Sequence, residues 1–310
     1  MLEQMTERRP DEIPQNAGPE GPRRPVRLPL RRRPAWGWLR LLRPLALLAG
    51  TATAVGFAWT LDGSPAWHEV VRVALVMAST LAAASSFNDA ADAEFDRSAH
   101  VWRPIPSGLI RVDQAQRAAA LAAVVALVLA ASLDWIALLL VLATLVLAYQ
   151  YSARLRGTYL GWAPWSLSFA LVPLWVGEAV DAFDEVLWWS FPVGIVAGLA
   201  AYLVIKLPDY ERDDADGARN VLHWLTIDYA VPVSWGAVAS LIVVAVASAN
   251  VENLRAEWII PTATTAIVLE LVLMGVLFFG VTERRLVWQR WALSFAIVAM
   301  SIGWLGSIAP

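Results

Sequence analysis

Between residues 88 and 108 the chain reads NDAADAEFDRSAHVWRPIPSG, crowding Asp89, Asp92, Glu94 and Asp96 behind Asn88. On a helix, Asn88, Asp92 and Asp96 recur every fourth residue and stack on one face. Carboxylates so placed repel one another unless a cation lies among them; the plain alternative is a solvated acidic loop. A second cluster, Asp209, Glu211, Asp213, Asp214 and Asp216, follows another apolar run, with Asp209 and Asp213 again four apart. Two acidic helix faces, each at the end of a hydrophobic stretch, point to one shared site for hard divalent cations such as Mg²⁺, which take oxygen ligands and recruit phosphate.

Basic residues flank both clusters: Arg97 and Arg103 by the first, Lys206 and Arg212 by the second, Arg154 and Arg156 between them in sequence. Carboxylate, metal and cation together suit a diphosphate and can stabilise charge developing on a departing phosphate group. Apolar helices beneath such a mouth would hold a hydrocarbon tail, so the expected ligand is a polyprenyl diphosphate. Glu94, Glu211, Asp214 and Asp216 read as solvated charges, Arg156 and Arg219 as topology signals, and His100 as a surface residue.

The elements that must position these residues are membrane spans. Of 310 residues, 58% are hydrophobic and 16% charged, below the charged share of soluble domains. Stretches long enough to cross a bilayer as helices fall near 36–61, 67–87, 112–133, 135–151, 160–181, 187–207, 229–249, 256–280 and 286–307, nine in all. Residues 1–33 are rich in Pro and Arg and lack an apolar face, which predicts a disordered basic tail without the features of a signal peptide. The domain expectation is therefore a tail over 1–33 and a membrane domain over 34–310.

The connections after the second, fourth, sixth and eighth spans carry Arg97, Arg103, Arg111, Arg154, Arg156, Arg212, Arg219, Arg284 and Arg285, whereas Arg255 is the one clear basic residue in the opposite connections, which predicts a cytoplasmic N-terminus and places both acidic clusters on the cytoplasmic face of the cell membrane. With no Cys, disulfides and thiolate metal sites are excluded, and His68, His100 and His223 lack zinc-ligand spacing. Many of the 17 Trp, including Trp67, Trp188 and Trp288, lie near span ends as interface anchors.

The motifs resemble a known family. Asn88-Asp89-x-x-Asp92-x-x-x-Asp96 followed by Arg103-Pro104-Ile105-Pro106-Ser107-Gly108 looks like the first signature of the UbiA superfamily of intramembrane prenyltransferases, and Asp209-x-x-x-Asp213-x-x-x-Gly217 is similar to the second. Tyr149-x-Tyr151-Ser152-x-Arg154-Leu155 resembles the connection between the family's fourth and fifth helices. The resemblance implies an all-α bundle of nine transmembrane helices around a central cavity. It implies Mg²⁺ held by Asn88, Asp89, Asp92, Asp96, Asp209 and Asp213, with Asp89 as a supporting residue, and diphosphate held by Arg103 and Arg154. Lys206 joins the diphosphate set by its proximity to Asp209, and Tyr149 and Tyr202 are candidates to shield a carbocation. Ile205 and Pro208 stand where many relatives have Tyr and Lys.

The expected activity is transfer of a prenyl group to an aromatic, quinone-precursor-like or other lipid-pathway acceptor. A terpene cyclase on the same fold and, remotely, a divalent-cation transporter or channel are the alternatives. The expected partners are a prenyl diphosphate, a hydrophobic or aromatic acceptor and the bilayer, and not nucleic acid.

Overall fold

Apolar runs at membrane depth become helices because a helix satisfies every backbone N–H and C=O within one segment. The structure, a computed structural model, describes residues 34–99, 101–215, 217, 219–225, 227–251, 255–278 and 283–308. The tail expected over 1–33, together with His100 and Asp216, lies outside them, as do the side chains of Glu211 and Arg212.

The helices are α1 (Pro34–Leu41), α2 (Pro44–Asp62), α3 (Trp67–Ala91), the short α4 (Asp96–Ala99), α5 (Val112–Ala131), α6 (Trp135–Gln150), α7 (Trp162–Ala179), α8 (Ser190–Lys206), the short α9 (Tyr210–Ala215), α10 (Ile227–Val251), α11 (Ala256–Phe278) and α12 (Glu283–Ile308). Among the described residues, eight helices are long and apolar enough to cross a membrane. The expected fifth span, α7, is present but misses that threshold of apolarity. Trp162, Pro164, Trp165, Ser166, Ser168, Pro173 and Glu178 dilute it. Much of α7 is packed inside the bundle rather than against lipid, so its sequence need not be uniformly apolar.

The expected first span, 36–61, is two helices. Pro44 has no N–H to donate and opens α2, while Arg43 before it takes a left-handed backbone with φ 48°. This break turns the Arg43 side chain toward the end of α3, with consequences for the site.

Successive long helices pack side by side from α2 through α12, and α12 returns to α2, closing a ring that contacts between α2 and α7 and between α8 and α12 brace from within. Association of helices in lipid depends on close packing rather than on hydrophobic expulsion. At the α7–α8 seam, a Cβ at Gly194 or Gly198 would collide with the backbone of Ala170 or Ser166, so only glycines four apart allow this approach. Apolar side chains such as Leu121, Val128, Leu139, Leu271 and Val272 stay exposed on the outside, as a lipid-facing surface requires. Trp67, Trp188 and Trp288 are exposed near helix ends.

One large apolar core fills the bundle. Two small satellite cores sit over the same end. Leu41, Ala90, Ala93, Ile105, Ile110 and Ala115 pack under the 92–111 connection. Tyr202, Leu203, Leu207, Leu222, Ala230 and Leu286 pack under the 207–226 connection. Each satellite core fixes one acidic motif.

Candidate active site

The first motif keeps its helical register past the end of α3. Asp92 N–H donates to Asn88 O at 2.9 Å and Asp96 N–H to Asp92 O at 2.8 Å, so the four-residue spacing survives the turn. Asp89, Asp92 and Asp96 are buried, and each carboxylate faces a guanidinium. Arg43 donates to Asn88 Oδ1 at 2.9 Å and also pairs with Asp89. Arg103 donates to Asp96 at 2.6 Å and lies 3.8 Å from Asp92. Arg156 pairs with the other oxygen of Asp92.

Arg103 is placed by the RPIPSG turn. Ser107 N–H reaches back to Arg103 O at 3.0 Å, Leu109 and Ile110 N–H both reach Pro104 O, and Ile105 and Ile110 are buried in the satellite core. Gly108 closes the turn at φ 74°, a left-handed conformation that a side chain would strain.

In the second motif, Lys206 at the end of α8 donates to Asp213 at 3.2 Å, and Asn220 Nδ2 donates to the same oxygen at 3.2 Å. Asn220 Oδ1 accepts from Leu222 N–H at 2.9 Å and so caps the short turn at Val221–Trp224. The His223 ring stacks on Tyr210 at 4.6 Å. Its Nδ1 accepts from Asn220 N–H, which leaves Nε2 to donate to Tyr210 O at 3.0 Å. Asp209 is half-buried between α8 and α9, and Glu94, Asp214 and Arg219 are exposed.

The two motifs meet at Arg156. Besides pairing with Asp92, it lines a cavity of about 230 Å³ together with Phe95, Arg154, Lys206 and Asp213. Burial lowers its affinity for the proton, while Asp213, Asp209 and Asp89 pull in the opposite direction and Arg43 adds to the lowering. One guanidinium thus feels carboxylates of both motifs. Its position follows from a π-helical turn, Tyr151–Leu155, in which Arg156 N–H reaches Tyr151 O at 2.8 Å.

Ser152 in that turn borders both the charged cavity and a larger apolar chamber of about 290 Å³. Arg43 and Asn88 stand at the polar end of the chamber, and its walls come from α3, α6 and α7. Tyr151 lines it. Tyr149 does not: it rests on Phe87 at 4.8 Å and borders a separate cavity of about 350 Å³ with Gln116 and Ala120. Tyr202 is buried edge-on to Trp165, its hydroxyl without a hydrogen-bond partner among the described residues.

Arg43, Arg156 and Asn220 were absent from the site as read from sequence. A lone charge inside an apolar stretch was the available signal for Arg43. Arg156 stood among the cations between the two motifs but was read as a topology signal, and Asn220 carried no signal.

Among the described residues, no three His, Cys, Asp or Glu side chains group closely enough to hold a metal alone. The donors present are oxygens, in ones and twos. That fits Mg²⁺, which is held by one or two carboxylates plus phosphate oxygens and water rather than by an all-protein cage.

A bundle with two facing acidic motifs over an apolar chamber defines a class of membrane enzyme, and comparison with known proteins names it. The family model described as UbiA prenyltransferase family matches residues 49–306, so the chain belongs to that family. It is a multi-pass membrane protein and an enzyme of the prenyltransferase class. A digeranylgeranylglyceryl phosphate synthase of Pyrococcus horikoshii is 25% identical over 59% of this chain and 67% of its own length. A 4-hydroxybenzoate octaprenyltransferase of Aliivibrio fischeri is 26% identical over 60% of this chain and 66% of its own. The chain thus spans about two thirds of the length of these curated relatives. Among solved structures, a UbiA homologue from Archaeoglobus fulgidus bound to GPP and Mg²⁺ shares the fold with a TM-score of 0.67 at 20% identity, covering 86% of this chain and 99% of that one. A UbiA homologue from Aeropyrum pernix K1 gives 0.68 at 17% identity, over 82% and 96%.

Proposed function

We propose that this protein is a Mg²⁺-dependent prenyltransferase that moves a prenyl group from an allylic prenyl diphosphate to an aromatic, quinone-precursor-like or other lipid-pathway acceptor. The observation that carries the reading is the convergence on Arg156 of both acidic motifs, beside a chamber whose charged end holds Asn88 and Arg43. The relative solved with GPP and Mg²⁺ supports the same pairing of ion and donor.

Asn88, Asp92 and Asp96 from one motif and Asp209 and Asp213 from the other would hold the ions, with Asp89 fixed beside them by Arg43. When bound, Mg²⁺ supplies Lewis-acid stabilisation of the leaving diphosphate. Arg43, Arg103, Arg154, Arg156 and Lys206 take the phosphate oxygens. Several of these cations already balance the carboxylates, so divalent ions and a diphosphate enter as nearly cancelling charges. The C1–O bond of the donor breaks with its electrons leaving on diphosphate. The allylic cation then bonds to the acceptor atom, which loses a proton. Tyr151 lines the chamber where that cation forms and is the tyrosine placed to shield it.

The mouth and the N-terminus are assigned to the cytoplasmic face by the Arg and Lys bias of the connections. A reporter fused near Asp184 reads outside in this arrangement, and a cytoplasmic signal there overturns it.

Incubation of the purified protein with prenyl diphosphates and an acceptor panel, followed by mass spectrometry, tests the function. A prenylated acceptor formed with Mg²⁺ and lost on chelation is expected. Full turnover with chelator present refutes the reading, and a cyclic hydrocarbon or alcohol from donor alone replaces transfer with cyclisation.

A further inference from the structure

The Arg-rich sequence ahead of the first long span takes no part in the site. From residue 21 to residue 61 the chain has no Asp or Glu, yet it carries seven Arg between residues 23 and 40. Residues 1–20 differ, mixing Arg8 and Arg9 with Glu3, Glu7, Asp11, Glu12 and Glu20. A run of one sign this dense repels itself unless an anionic surface lies beside it. The run leads directly into α1.

The two sides of α1 differ. Gly37 and Leu41, four apart, face the 92–111 connection. Leu41 is fully buried, and a Cβ at Gly37 would stand 3.0 Å from Leu109 Cβ. The other side shows Trp36, Trp38 and Leu39, each 37% to 47% exposed. Val101 and Trp102 extend this patch and are more than half exposed. Arg40 joins its two parts: the guanidinium lies 5.4 Å from the Trp36 ring and donates to Trp102 O at 3.2 Å. Exposed indoles around a cation, at the start of a membrane span, suit the headgroup layer, where rings meet the acyl boundary and the cation meets phosphate.

We propose that residues 23–40, with Trp102, form a docking surface for anionic phospholipid headgroups. The indoles set its depth and the Arg run supplies the attraction. Each Arg held near an anionic leaflet adds about fivefold to binding. The surface ends one residue before Arg103, so lipid that grips Trp102 also bears on the turn that aims Arg103 at Asp96.

The test is limited trypsin digestion of the full chain in nanodiscs of phosphatidylcholine, with or without about 30% phosphatidylglycerol. Cleavage after Arg27 reports on the run. Cleavage after Arg8, outside it, corrects for any pull of the lipid on the protease. With phosphatidylglycerol, the ratio of cleavage after Arg27 to cleavage after Arg8 should fall at least ~10-fold. Salt at about 0.5 M should restore it by shortening the screening length. Arg31→Gln, Arg32→Gln and Arg33→Gln together should bring the ratio to within about threefold of its value in phosphatidylcholine. Trp36→Ser with Trp102→Ser removes indoles but no charge and should recover about threefold; the Gln variant keeps the test decisive if this one misfolds. A ratio equal in the two lipids, a fall that survives the Gln substitutions, or a fall untouched by loss of the indoles overturns the proposal. So does an equal fall in phosphatidylcholine alone on adding inorganic diphosphate, which assigns the run to soluble anions. None of these readings needs turnover, so they stand apart from the proposed transfer reaction.

Discussion

The two acidic connections lie over the same end of the bundle, yet their carboxylates are balanced in different ways. Around Asp213 the partners are local: Lys206 and Asn220 each lie seven residues away and reach the same oxygen. Around Asp89, Asp92 and Asp96, among the described residues, the ion pairs join one local cation, Arg103, to two distant ones. Arg43 comes from 45 and 46 residues upstream of Asn88 and Asp89, and Arg156 from beyond two intervening long helices. The second motif can thus be ordered by its own connection, locked by Asn220, Tyr210 and His223. The first acquires its charge balance only when α2, α3 and the turn after α6 are packed together. Buried ion pairs add little net stability but cost much when one partner is removed. The first motif therefore reports on assembly of the bundle, and the second mostly on itself.

The largest test strikes what the two share. Asp92→Asn and Asp213→Asn each remove a carboxylate from the proposed ion site, and both should lower Mg²⁺-dependent turnover at least ~10³-fold without unfolding the bundle. Normal turnover in either variant separates that motif from catalysis.

Next comes the assembly of the first motif. Arg156→Met leaves Asp92 with Arg103 at 3.8 Å as its remaining pictured cation, and thermal or denaturant unfolding in detergent should show a loss of about 3 kcal/mol. Restoring stability with Asp92→Asn in the same chain would confirm that the loss is an unpaired charge. A smaller loss in Arg156→Met than in Lys206→Met would break the contrast, because Asp213 still keeps Asn220.

A finer test addresses local order in the second motif. Asn220→Ala should cost about 1 kcal/mol through the lost cap at Leu222 and leave the pairing of Arg103, Arg156 and Asp92 untouched. Proteolysis confined to the 207–226 connection would show this. The smallest effect is expected at Gly108→Ala, where a left-handed φ of 74° is imposed on a residue with open space around it; the backbone penalty is about 1 kcal/mol. A stability change within error there would mean that the RPIPSG turn adapts without cost.

Much of the architecture was legible along the chain. Nine apolar runs became helices at nearly the expected limits, because hydrocarbon leaves the backbone no alternative to internal hydrogen bonding. Two departures have local causes. The first run splits at Pro44, and α7 tolerates Ser, Pro and Glu because it is packed inside the bundle. The acidic motifs were also legible, since fourfold spacing of Asn88, Asp92 and Asp96 is a property of the helix itself.

The sequence by itself determined helices and motif registers, because each follows from neighbours within a few residues. Only the tertiary structure decided that Arg43 and Arg156 stand against the first motif, that Arg156 borders Asp213, and that Tyr151 rather than Tyr149 faces the chamber. Those facts depend on which faces of non-adjacent helices meet. That choice is fixed by close packing such as Gly194 and Gly198 against Ala170 and Ser166, and no spacing along one helix encodes its partner.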